Sequence, residues 1–378
     1  MRSTILDNIN NVSAAEWDHL VADDNPFIKH QFLATLEDYG CVGQRYGWIP
    51  QHIAIYDANN VLVGAAPMYL KDNSYGELVF DWNWADAYHR SGLNYYPKLV
   101  TAIPYTPATG PRLLVAKGAD QPGIRQLLIE MAVSIAEKNR LSSIHWLFTN
   151  KTDTRVLRES GLALRLGCQF HWQNHGYNDF ADFLQTLSAH KRKMIKRERR
   201  RTQEQAIELE VLHGDEMSEQ QWHVFHRFYV STFERKSGMP TLSLPFFMAL
   251  AERMPRNMVI VLARHQHEYV AGAFNMRSND TLYGRHWGCN AEFHSLHFEA
   301  CYYQGLDYCI NHRLQFFEPG AQGEHKISRG FLPTRTWSAH WIAHPEFKKI
   351  IDDFCAHEQE GMEQYIAELN QHSPYKTI

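Results

Sequence analysis

Two stretches of the chain alternate apolar and polar residues in the same way. HIAIYDANNVLVGAAPMYL (52–70) turns at Asp57-Ala58-Asn59-Asn60 and resumes as an apolar run containing Gly64-Ala65. MVIVLARHQHEYVAGAFNM (258–276) turns at His265-Gln266-His267-Glu268 and resumes with Gly272-Ala273. A period of two, interrupted by a cluster of turn residues, predicts a β-hairpin in each. At a constant offset of 208 residues Ile53 falls on Val261, Val63 on Ala271, Gly64 on Gly272 and Ala65 on Ala273. The segments after the two hairpins are also parallel. YGELVFDW and TLYGRHWG read as strands, helical segments come next, and VTAIPYTPATGPRLL and FFEPGAQGEHK close the two passages. A repeat this long predicts a duplicated α/β domain, since solenoid units run to about 20–50 residues. We therefore expect two tandem domains, residues 1–165 and 166–378, in the α/β (α+β) class, with mixed sheets flanked by helices.

Two helices stand out. Phe298, Cys301, Tyr302, Gly305, Leu306, Cys309 and Ile310 recur at helical spacing and form one apolar stripe, with Ser295 placed to cap it. Between the halves, AHKRKMIKRERRRTQEQ (189–205) carries eight cations from Lys191 to Arg201 and no Gly or Pro to stop a helix. That run is either a solvated face or a docking surface for a phosphate-rich partner such as a tRNA. No aromatic residue interrupts it, so single-strand stacking has no support.

The formal net charge is −4, with 38 Lys+Arg against 42 Asp+Glu, so the molecule as a whole is not a polycation and any electrostatic site is local. Six scattered cysteines include no CxxC pair, which argues against a zinc ribbon or a dithiol redox motif. The first twenty residues lack a basic stretch followed by an apolar one, and no segment approaches 18 consecutive apolar residues. A cytoplasmic chain without a membrane span is the expectation.

Nucleotide-binding, serine-hydrolase and HExxH signatures are absent. His294 and His297 are three apart, but neither they nor HQHE (265–268) have a carboxylate or cysteine at ligand spacing, so no metal is expected. The passages with chemistry are TLYGRHWG and EPGAQGEHKISRG (318–330). Strand alternation puts Tyr283, Arg285 and Trp287 on one face and Leu282, Gly284 and His286 on the other. Gly320 and Gly323 let the backbone approach a ligand or take a positive φ. Around them Gln322, Glu324, His325, Lys326 and Arg329 supply acceptors, a proton carrier and cations. Attack of an amine on an acyl carbon needs a base for the amine proton and donors for the oxyanion. Glu324 or His325 fits the first role; Lys326, Arg329 or loop amides fit the second. Glu299, on the following helix, is a reserve base.

The run YGRHWGCN…LHFEACYYQGLDYCI…FFEPGAQGEHKISRGFLP…SAHW resembles a bacterial family of FemAB-like N-acyltransferases, labelled as peptidoglycan biosynthesis or recognition proteins. GWIPQHIAIYD, NYYPKLVTAIPYTPATGPRLL and HKRKMIKRERRR extend the resemblance over nearly the whole chain. It implies a pair of GNAT-like domains and an acyl or aminoacyl transfer to an amine, on a small molecule or a peptidoglycan precursor. Fem ligases use aminoacyl-tRNA and ordinary GNAT enzymes acetyl-CoA, so aminoacyl-tRNA or acyl-CoA is the implied co-substrate, with no tightly bound cofactor. Phe317, Gly320 and Lys326 look like counterparts of residues lining the Fem substrate region, with His325 where that family has Phe. The glycine-rich pyrophosphate loop of CoA-binding GNAT enzymes has no match in CNAEFHSLHFE. TPATGPR (106–112) offers only Gly110 and Arg112, with no helix clearly following.

Overall fold

The structure, a computed structural model, describes residues 1–236, 238–321 and 323–376. The chain divides into two compact units, residues 1–168 with 335–365 and residues 169–334 with 366–378. The strand Ala163–Gln173 carries the chain into the second unit, and Leu332–Ile342 carries it back. Residues 335–365, which the sequence places in the second domain, therefore belong to the first. No helix among the described residues is long and apolar enough to cross a membrane.

In the first unit, Arg2–Leu6, His52–Tyr56, Leu62–Ala66 and Leu114–Val115 form an antiparallel sheet in that order. A second sheet runs Ile49–Pro50, Met68–Lys71, Lys98–Thr101, Ser143–Leu147 and the end of Leu332–Ile342. The helix Gln121–Lys138 covers them. Its Ile124, Leu128, Ala132, Ile135 and Ala136 return every three or four residues and pack against Ile53, Ile55, Leu99, Ile144 and Trp146.

The second unit's sheet runs Ile207–His213, Met258–His265, Glu268–Arg277, Thr281–Cys289, Phe316–Glu318 and the end of Ala163–Gln173. Glu219–Glu234 and Leu244–Arg253 cover one face with Phe225, Tyr229 and Phe247 against Phe274. On the other face Val261, Ala273 and Trp287 pack against Ala300 and Cys301.

Both expected hairpins form, and each has a register shift at the same offset position, after Ile55 and after Ala263. Their second strands are one residue out of step, Gly64 facing Ile55 and Gly272 facing Leu262. In each unit an antiparallel strand comes next, then a helix, then a parallel neighbour. Lys98–Thr101, Gln121–Lys138 and Ser143–Leu147 match Thr281–Cys289, the 296–311 helix and Phe316–Glu318. The constant offset consequently fails beyond the hairpins. The first unit carries residues 72–97 where the second turns tightly through Ser278 to Asp280, and YGELVFDW lies in that inserted segment as a loop.

Close approach between helix and sheet in the second unit depends on Gly288. A Cβ there would sit 2.0 Å from the carbonyl oxygen of Phe228, which belongs to a helix backbone and cannot step aside. Gly288→Ala is expected to cost about 2–3 kcal/mol through overpacking. Gly361→Ala, in open space on the helix Pro345–Gln371, should add about 0.5–1 kcal/mol. Urea unfolding midpoints moving in opposite directions check both.

Candidate functional site

After Phe316–Glu318 the chain does not run on as an irregular loop. Residues Glu324–Arg329 form a 3-10 helix, entered through Gly320 (φ 96°) and Gly323 (φ 118°) and closed by Gly330 (φ 99°). Phe317, fully buried against Phe331, fixes its base. A Cβ on Gly323 would lie 2.4 Å from Cε1 of His325, so the imidazole packs where only glycine fits.

The 3-10 helix sorts its side chains sharply. Lys326 is 2% exposed, and its Nζ donates to the Gly320 carbonyl at 2.7 Å. Among the described residues no carboxylate lies within ion-pair distance of it. Burial lowers its pKa to about 8. His325 stands exposed beside it, with Nε2 2.9 Å from the Tyr302 hydroxyl and its ring near Phe298 and His297. Partial desolvation, then the charges of Arg329 and Lys326, push the His325 pKa below its usual value. His297, more deeply buried, falls to about 4 for the same reasons and is neutral at pH 7. Its ring stands edge-on to Trp287 at 5.4 Å.

Arg329 points the other way. Nη2 donates to Glu198 Oε1 at 2.7 Å, and Nε lies 3.1 Å from both Glu198 Oε2 and the Tyr303 hydroxyl. Nη1 donates to the His325 carbonyl at 2.7 Å, and the guanidinium lies over the Phe298 ring at 3.5 Å. Tyr303 donates to Glu198 as well. Glu198 belongs to the basic helix, Ala189–Glu204, and faces inward. The same helix donates from Lys191 to Ser328 and from Arg199 to Glu299 and Asp307.

The apolar-stripe helix is not uniform. Leu296–Phe298 is α-helical, Glu299–Tyr303 is a π-helical turn, and Gln304–Asn311 is α-helical again. Ser295 makes no side-chain cap and takes φ 70°. Glu299 is 3% exposed; its Oε1 accepts from Arg199 and Gln304, while Oε2 is buried with no hydrogen-bond partner among the described residues. A π-turn of this kind often marks a functional position.

The family comparison falls on this geometry. The model of a family described as peptidoglycan biosynthesis/recognition, FemAB-like, matches residues 8–377. The chain belongs to the FemAB-like family. No curated protein sequence matches it. Among solved structures, "Crystal structure of FemX" aligns with a TM-score of 0.55 at 11% identity, over 93% of this chain and 100% of that one. A tandem GNAT protein from the clavulanic acid biosynthesis pathway aligns at 0.50 and 12% identity, over 91% and 99%. The C-terminal domain of a putative lysylphosphatidylglycerol synthetase from Agrobacterium fabrum aligns at 0.53 and 8% identity, over 89% and 94%. At such identities the likeness shows the fold, a pair of GNAT-like domains with mixed sheets and flanking helices.

Measured against this FemAB-like frame, the sequence-derived site divides. His325, Lys326, Gly320 and Gly323 come together, joined by Tyr302, His297 and Trp287. Glu324 is exposed at the start of the 3-10 helix. Gln322 lies outside the described residues. Tyr283, Arg285 and Trp287 do not share a face. A register shift leaves Arg285 as an extra residue, since Asn275 faces Gly284 and Phe274 faces His286. Leu282 and Trp287 consequently face the 296–311 helix, while His286 packs on Tyr229 and Phe274. His286 is half-buried, and desolvation holds its pKa well below the usual value. Burial lowers Arg285 to about 10. Arg329 and Glu299, expected as a ligand cation and a base, are engaged by Glu198 and Arg199. His294 bonds to Ser295 and Arg201 and diverges from His297. In the first unit Arg112 is fully buried, donating to the Leu147 and Ala108 carbonyls, so TPATGPR offers no phosphate cradle.

Sequence reasoning passed over Glu198, hidden in a basic run, and Tyr302 and His297, which counted only as stripe and stray histidine. Removing one partner of a buried, hydrogen-bonded ion pair strands the other. Glu198→Ala should therefore destabilise the protein by about 3–5 kcal/mol in denaturant unfolding. Arg200→Ala, whose side chain pairs at the surface with Glu204, should change stability by about 0.5 kcal/mol or less.

Proposed function

We propose that this FemAB-like protein is an N-acyltransferase that forms an amide on an amine acceptor, a peptidoglycan precursor being the acceptor the family suggests. The observation that carries the reading is Lys326. A buried cation without a carboxylate partner among the described residues is an expensive arrangement, and it becomes favourable when negative charge develops beside it. A tetrahedral oxyanion supplies that charge. His325, neutral near pH 7 and oriented by Tyr302, takes the proton of the attacking amine. The amine nitrogen bonds to the acyl carbon, and the carbon–oxygen or carbon–sulfur bond to the donor breaks. The proton on His325 passes to the leaving atom.

The donor we infer is phosphate-rich, with aminoacyl-tRNA ahead of acyl-CoA. Lys193, Lys196, Arg197 and Arg200 are exposed at i, i+3, i+4 and i+7 on the basic helix and form one cationic stripe. The passage before the 296–311 helix brings no glycine to cradle a pyrophosphate.

Transfer from charged tRNA or acyl-CoA to a panel of amines tests the proposal. Lys326→Met should lower kcat/KM about 10²–10³-fold, as expected for loss of one oxyanion donor, without loss of thermal stability. His325→Gln should lower it about 10²–10⁴-fold. The pH profile should be a bell. Its acid limb follows loss of the His325 proton below the usual imidazole range, and activity falls as Lys326 loses its ammonium proton above about 8. A non-catalytic recognition role has one observation in its favour, the engagement of Arg329 and Glu299 by partners within the unit. Ligand binding without donor consumption by the wild-type protein would select that role.

A further inference from the structure

Within the second unit, two neighbouring strands part beside Lys326. Thr281–Cys289 and Phe316–Glu318 run in parallel only as far as Tyr283 against Glu318. Thr281–Cys289 then continues on its other neighbour, from Gly284 against Asn275 to Cys289 against Ala271. Phe316–Glu318 instead gives way to Pro319 and Gly320, where φ is positive. A Cβ on Gly284 would lie 3.1 Å from Pro319 Cα, so the two chains still touch there. Arg285, the extra residue of the bulge, is the first beyond that contact. Lys326 holds the Gly320 carbonyl on the facing chain, so both cations are fixed to the same parting.

The groups around the parting are sunk in protein and still reach solvent. Desolvation brings Arg285 down to about 10, His171 to about 3 and His286 well below its usual value. Yet Arg285 and His286 are only half-buried, and the side chains of His171 and Glu318 are 13% and 14% exposed. Side chains ringed by protein but touched by water line a recess.

Its charges do not balance. His171 and His286 are neutral at pH 7, while Arg285 and Lys326 keep their protons. Glu318 is the carboxylate that acts on Arg285. It lies 3.9 Å from His171, which in turn feels the charge of Lys326. The Tyr229 hydroxyl, the other group acting on Arg285, accepts the Thr241 and Leu242 amides. Among these residues two cations, Arg285 and Lys326, stand against one carboxylate. A monoanion makes up the difference, and the planar fork of an arginine matches a carboxylate. A phosphate monoester, with close to two negative charges, would overshoot and meet Glu318.

We propose that the acceptor bears a carboxylate as well as the reacting amine, and that Arg285 binds this carboxylate in the recess. The acceptor is then an amino acid, or a peptide with a free carboxyl end. The inference rests on the reading of the His325–Lys326 pair as the place of acyl transfer, but its binding test does not.

Calorimetric titration of the full chain with glycine and 4-aminobutyrate, each against its carboxamide, is that test. Each acid should bind about 10-fold more tightly than its amide, or better, as expected for a hydrogen bond between charged groups. Arg285→Gln should remove most of that preference, and Arg285→Lys, which keeps the charge, should retain part of it. Circular dichroism checks the folding of both variants. The proposal is overturned by no binding of either acid, by equal binding of acid and amide, or by an unchanged preference in Arg285→Gln. Tighter binding of phosphoethanolamine than of either acid overturns it too. Acid-selective binding without transfer from any donor would remove the acyl-transfer reading and leave the carboxylate site standing. Transfer to acid and amide alike would do the reverse.

Discussion

The buried pair of Glu198 and Arg329 sets the geometry of the second unit. A fork of two charge-assisted bonds is strong enough to offset the desolvation of both ions only when the remaining donors are also satisfied. Here they are, by the Tyr303 hydroxyl, the His325 carbonyl and the face of Phe298. The pair ties the 3-10 helix to the basic helix, and Lys191 with Ser328 adds a second tie. Because Arg329 grips the carbonyl of His325, its imidazole and the neighbouring Lys326 inherit their placement from an interaction that touches no ligand. The basic helix thereby has two jobs. Its inward acid anchors the turn, and its outward cations remain available to solvent or to phosphate.

The two units place their buried charge differently. Lys326 has a carbonyl and no paired carboxylate among the described residues, so its pocket is short of negative charge. Lys98 is shared by two carboxylates, and the buried Lys71 also interacts with the charges of both. The imbalance at Lys326 specifies the sign of what would complete it. Desolvation moves the groups accordingly, Lys326 down to about 8 and Glu77 up to about 7. For Glu77, the folded state holds its proton more tightly than the unfolded chain. Its burial therefore erodes stability as pH rises from the ordinary carboxylate range to about 7, with no further loss above that.

What the sequence discloses depends on whether a feature is periodic or arises from a single extra residue. The hairpins, the basic helix and the apolar stripe are periodic, and all are present. The glycines at 320 and 323 were legible because positive φ has few other tenants. The bulge at Arg285 and the π-turn at 299–303 each insert one residue into a regular element, and no local composition marks either. Their effect is large nonetheless. One inserted residue moves Trp287 to the 296–311 helix side and His286 against Tyr229 and Phe274, and it separates residues that strict alternation would keep together. YGELVFDW failed for a different reason. It reads as a strand, but Glu77 and Asp81 turn inward to Lys98 and leave Tyr75, Phe80 and Trp82 outside, which inverts the polarity a strand packed on the core would show. Glu198 was hidden because charge counted along a helix does not reveal which residue points in.

Duplication makes a further comparison possible, at the junction after the parallel strand in each unit. In the first unit, Ser143–Leu147 leads to Asn150, whose side chain accepts the Asp153 amide and caps the helix Lys151–Glu159. Asp153 in turn accepts the amides of Arg112 and Leu113 and pairs with Arg125. That junction is closed, its charges matched and its backbone donors satisfied. In the second unit, Phe316–Glu318 leads instead through two glycines to a 3-10 helix that keeps a lysine, without a paired carboxylate among the described residues, beside an exposed imidazole. One copy of the junction stabilises the fold, which leaves the other free to carry a charge arrangement that stability alone would not favour. That asymmetry is the physical difference between the two junctions.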